Sequence, residues 1–171
     1  MPKVYLLLAA LALCTGLSGC FTNFDDRSDL PVYRPVLMAR TSLEQSVSLV
    51  AARDMHNTGK IYRQGTYVFI NERYEGLHII DNRDPSRPQN VGFLRIPGSL
   101  DVAMRGTTLY ADNAVDLVTL DLSNPANVRV ISRVRDAFPE LAPPEASSIE
   151  ESYRPENRPA DAVVVGWQKV K

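Results

Sequence analysis

GTYVFINERYEGLHIIDNRDPSRPQNV, residues 65–91, is answered further along the chain by GTTLYADNAVDLVTLDLSNPANV, residues 106–128. The opening glycines, Gly65 and Gly106, stand 41 positions apart. Each copy runs as an apolar strand, an acidic or amide turn, and a second strand ending in Asp81 or Asp121; Pro85 or Pro125 follows four residues later. A period near 40 residues made of short strands marks a β-propeller blade or a similar array. The expected fold class is therefore all-β, with two four-stranded antiparallel propeller-like blades.

Within this frame the first blade has predicted strands at 60–64, 67–71, 77–81 and 90–96, and the second at 100–105, 108–112, 117–121 and 128–134. Gly65 and Gly106 fall in tight hairpins, where glycine accepts positive φ at little cost. YVFI and HII are apolar on both faces, as inner strands between stacked sheets require, whereas NVGFLRI and VRVISRV carry arginines and read as half-exposed outer strands. Asp81 and Asp121 are placed to accept hydrogen bonds from turn amides.

The stretches YVFINERYEGLHIIDNRDPSRPQNVGFL and LYADNAVDLVTLDLSNPANVRVI resemble the LVIVD repeat. The first copy carries the pattern through Gly76-Leu77-His78-Ile79-Ile80-Asp81 and Asp84-Pro85; the second has Asp116 at the glycine position and a turn one residue shorter. The resemblance covers residues 59–135. With the leader described next, it extends to repeat-bearing lipoproteins of Bacteroidetes, which implies a propeller fold and supplies no chemistry.

Outward toward the N-terminus, Lys3 precedes an apolar run at 4–13, of signal-peptide length and too short to span a bilayer. Leu17-Ser18-Gly19-Cys20 resembles the lipobox of bacterial lipoproteins, which implies cleavage before Cys20 and lipidation of its thiol. The expected organisation is a signal at 1–19, lipidated Cys20 with a flexible tether at 20–36, and a lead-in at 37–58. The blades at 59–135 and a Pro/Glu-rich loop with a terminal strand at 136–171 complete it. In the lead-in, Thr41-Ser42-Leu43-Glu44 has capping-box spacing and VSLVAA reads as a strand. Phe21 after the Cys points to the outer membrane, and Asp25-Asp26 resembles an acidic surface-export tag. AVVVGW, residues 162–167, reads as the opening strand of a further blade. Three arrangements follow: a truncated propeller, half-propellers self-associating through open blade edges, or a small open array.

Charge excludes some partners. The chain holds 19 Lys and Arg against 20 Asp and Glu, and loss of Lys3 with the leader leaves 18. With no basic block, nucleic acid is not an expected partner. His56 and His78 lack zinc-ligand spacing, and Asp81, Asp84, Asp112, Asp116 and Asp121 lack the DxDxDG order of a calcium loop, so neither metal nor cofactor is expected. Nucleophile-elbow and phosphate-loop motifs are missing, and no catalytic residue is assigned. The candidate ligand-contact loop is Arg73, Tyr74 and Glu75, in the turn between the inner strands. The expectation is a non-catalytic envelope scaffold or binding module for protein or glycan. The competing reading is a polysaccharide hydrolase or lyase whose catalytic part lies elsewhere.

Overall fold

A computed structural model of the chain describes residues 31–144 and 148–170. In chain order, β1 (Val32–Ala39) leads through a short helix, α1 (Arg40–Glu44), to β2 (Ser48–Val50). The first blade follows as β3 (Thr58–Gln64), β4 (Tyr67–Glu72), β5 (Gly76–Asp81) and β6 (Gln89–Arg95). The second is β7 (Val102–Arg105), β8 (Thr108–Asn113), β9 (Asp116–Asp121) and β10 (Arg129–Val134). A two-residue strand, β11 (Ser148–Ile149), and β12 (Ala162–Lys169) come last. The fold is all-β, with sheet orders β2-β6-β5-β4-β3, β10-β9-β8-β7 and β11-β1-β12.

Both blades are antiparallel meanders, for the local reasons the repeat suggests. Gly65 (φ 57°) and Gly106 (φ 58°) turn the first hairpin of each blade. Asp81 Oδ1 accepts from the Arg83 N–H at 3.0 Å and Asp121 Oδ1 from the Ser123 N–H at 2.8 Å, closing matching turns.

The blades stack through opposite faces. Phe69, Leu77, Ile79, Leu94 and Ile96 of the first pack with Val102, Leu109, Ala111, Val118 and Leu120 of the second in one continuous core. Successive strand residues alternate between faces, so repeat-equivalent positions are used differently. Phe69 is buried between the blades while its equivalent, Tyr110, lies on the outer face of the second blade and is 37% exposed. That face carries a groove of about 550 Å3 bordered by Leu100, Tyr110, Leu117 and Phe138. Each buried large apolar side chain contributes roughly 1.5–3 kcal/mol, and the shared core makes the blades one packing unit.

Several expectations are corrected. The first blade has five strands, because β2 adds antiparallel to β6 (Leu49 opposite Leu94). The described end of the expected tether, from Val32 on, belongs to β1: Val36, Leu37 and Met38 supply an extended apolar stretch. Helix α1 begins one residue before the expected capping box, with Ala39 at its N-cap and no side-chain cap. The terminal strand opens no further blade; β12 pairs antiparallel with β1 along its length, from Tyr33 opposite Lys169 to Ala39 opposite Ala162. Val164 and Val165 of β12 are buried, and only a partner sheet with a covered face satisfies such residues. The signal segment, Cys20 and residues 21–30 lie outside the described residues.

Candidate functional site

The third, small sheet lies against the β4–β5 and β8–β9 turns. Val165 and Met38 pack with Ala114 of the second blade, and Val164, Trp167 and Leu37 pack with Tyr74 of the first. The end at which both blades present their inner turns is therefore covered by strands from outside the repeats.

The Arg73-Tyr74-Glu75 turn is held on every side by its backbone. The Arg73 N–H donates to the Asn57 carbonyl at 3.0 Å, the Tyr74 N–H to the Ser99 carbonyl at 2.7 Å, and the Glu75 N–H to the Glu72 carbonyl at 3.0 Å. The Tyr74 carbonyl accepts from the Gly98 N–H at 2.8 Å. Tyr74 sits at φ 67°, a left-handed conformation uncommon for a bulky residue and retained only where the surroundings over-determine it. Gly76 closes the turn at φ 138°; a Cβ there would lie 2.0 Å from the Leu94 carbonyl oxygen, so no other residue fits.

The three candidate residues all line one cleft of about 700 Å3 between the first blade and the small sheet. The structure thus brings them together, with distinct tasks. The Tyr74 ring lies against Gly166, so close that a Cβ on that glycine would meet its Cγ at 3.2 Å. Glu75 forms an ion pair with Arg53, whose guanidinium lies 4.0 Å above the Phe93 ring centroid. Arg73 is exposed; its guanidinium reaches the Tyr74 hydroxyl at 3.4 Å and lies 5.1 Å from that ring's centroid.

Sequence reasoning missed Arg53, Phe93, Arg95 and Trp167, which complete the walls. Phe93 and Arg95 were within reach, since residues two apart on one strand share a face and their partners are His78 and Gly76. Arg53 and Trp167 carry no local signal, because only tertiary pairing brings them to this turn.

Behind Phe93 lies a buried pair. His78 Nε2 is 3.1 Å from Glu72 Oε2, and both side chains are essentially inaccessible. Burial pushes the Glu72 carboxyl up, but the N–H groups of Asn57 and His56 and the His78 ring outweigh it and hold it below its ordinary range. Asp112 goes the other way. Burial dominates and raises it, although the Leu100 and Asp101 N–H groups and the Ser99 hydroxyl donate to it. Asp116 is fully buried; Arg133, the Asp136 N–H and Arg40 overcome its desolvation and lower it. Glu72 and Asp112 have separate partners. Asp81, Asp84 and Asp121 each accept from amides of their own turns. Among the described residues, no three His, Cys, Asp or Glu side chains gather as a metal-holding group.

Comparison with known proteins agrees with the internal duplication. No curated protein and no solved structure matches the chain. Residues 57–94 and 99–136 each match the LVIVD repeat, so the chain carries two LVIVD repeats, one to each blade.

Proposed function

We propose that the chain is a non-catalytic, membrane-anchored binding module of the bacterial cell envelope, related in type to repeat-bearing lipoproteins of Bacteroidetes. A lipid on Cys20 holds it at the outer membrane, facing outward, and the blades act as a rigid scaffold. The ligand, a glycan or protein segment, enters the cleft at Arg73, Tyr74 and Glu75. The observation that carries this reading is the cleft itself. Its volume of about 700 Å3 is that of a ligand site, and its mixed apolar and charged walls stand on backbone pinned by hydrogen bonds. A non-catalytic role is supported by the partners of the acidic groups described above: Asp116 is held by Arg133, Glu72 by His78, and Asp84 by an amide of its own turn.

Two experiments test it. Cell fractionation should find the wild-type chain with the outer membrane and the Cys20→Ser variant released; equal membrane retention of both would refute the lipid anchor. Trp167, the single tryptophan, lines the cleft and reports occupancy by its emission. A panel of neutral, amino and acidic saccharides and short peptides should contain at least one saturable ligand. Silence across the whole panel counts against the cleft as the binding site.

A further inference from the structure

Three guanidinium groups border the cleft, those of Arg53, Arg73 and Arg95, against one carboxylate, that of Glu75. Arg53 is matched by Glu75. Among the described residues, the Arg73 guanidinium has a hydrogen bond and a ring contact with the neighbouring Tyr74 alone, which cancels no charge. Arg95 is exposed, and its side chain has neither a hydrogen bond nor an ion pair among the described residues. The local formal balance is +2, in a chain whose overall formal charge is −1. Arginines that support the neighbouring architecture do not stand open in this way: Arg40 and Arg133 pair with Asp116, Arg135 with Glu44, and Arg158 with Glu140.

We propose that the cleft binds an acidic saccharide, with a carboxylate-bearing sugar unit held between Arg73 and Arg95. This rests on the cleft being the ligand site, as argued above. A guanidinium presents paired N–H donors in the fork geometry that a carboxylate accepts, and two unmatched forks at one rim concentrate anions there. The rest of the cleft suits a polyhydroxylated ring. Val36 and Val50, both exposed, offer apolar surface to a C–H face, while Glu75 and Asn57 offer acceptors to hydroxyl groups. An inorganic anion would occupy a small part of the volume. A neutral sugar would leave both forks unmatched. An acidic peptide would set its closely spaced carboxylates against Glu75, which a sugar hydroxyl instead satisfies.

The test is titration of the full chain in detergent with digalacturonate, its neutral counterpart galactobiose, and triglutamate, read by Trp167 emission. Digalacturonate is expected to give a saturable change that weakens at least tenfold in an Arg73→Ala/Arg95→Ala double variant. It should weaken less in Arg95→Lys, which keeps the charge and loses the fork. Both positions are exposed, and an unchanged circular dichroism spectrum will show that the double variant folds. Equal affinity for galactobiose, or for digalacturonate in the double variant, would overturn the acidic-ligand inference while leaving the cleft as a binding site. Tighter binding of triglutamate would assign the cleft to an acidic peptide instead. No response to digalacturonate alone overturns the inference; no response to the wider panel removes the cleft reading as well.

Discussion

At the scale of single residues, the two repeats differ most where their turns do. Gly76 cannot be replaced: φ 138° and a 2.0 Å clash with the Leu94 carbonyl oxygen act together. Gly76→Ala is expected to cost about 3 kcal/mol, the upper part of the usual range for one substitution. Gly65→Ala, at φ 57° with open space around the new methyl, should cost about 1 kcal/mol. Urea denaturation of the two variants checks the order. Two buried-end carboxylates have opposite pH signatures. Glu72 is held below its ordinary range, so its stabilisation is present at neutral pH and is lost as the pH falls through its lowered value. Glu72→Gln should therefore destabilise by about 1–3 kcal/mol at pH 7, with the gap to wild type closing in acid. Asp112 is raised, so its ionised form is disfavoured by folding, and the penalty grows as the pH rises through its elevated value. Asp112→Asn, the residue that the first repeat has at Asn71, should gain on wild type from acid to neutral pH in thermal melts. A gap that runs the other way would show that the lost acceptor outweighs the charge.

Among the elements, β12 decides most. Its Val164 and Trp167 join Leu141 in a small core, and the Trp167 Nε1–H donates to the Leu141 carbonyl at 3.0 Å. Trp167→Ala is expected to cost about 3–5 kcal/mol. Because β12 is the antiparallel partner of β1, it should also speed hydrogen exchange in β1 and at the Tyr74 turn. Fast exchange confined to β12 itself would contradict a shared sheet. The strand was legible as a strand from AVVVGW, but its partner was not. Pairing is a long-range choice, and the matching apolar stretch at 36–38 sits beside Pro35 in what reads locally as linker. For the same reason Arg53 and Trp167 were invisible as cleft residues, while Arg73, Tyr74 and Glu75, contiguous in one turn, were not.

For the molecule as a whole, the core shared between the blades predicts a single unfolding event. Leu109, fully buried where the blades meet, is a direct probe: Leu109→Ala should cost about 2–5 kcal/mol. Far-ultraviolet circular dichroism, which reports chiefly the blades, and Trp167 emission, which reports the small sheet, should have coincident midpoints in wild type and variant. Separated midpoints would mean that the small sheet melts independently. The sequence by itself determined the four repeat strands of each blade and their turns, because a repeat of short strands writes its pattern in neighbouring residues: alternation, glycine at positive φ, aspartate at strand ends. Tertiary structure alone decided which faces of the blades meet, why Phe69 is buried while Tyr110 is exposed, and how β1 and β12 unite over the turns to form the cleft. Those choices depend on burial and pairing between residues far apart in the chain, and no local pattern of residues encodes them.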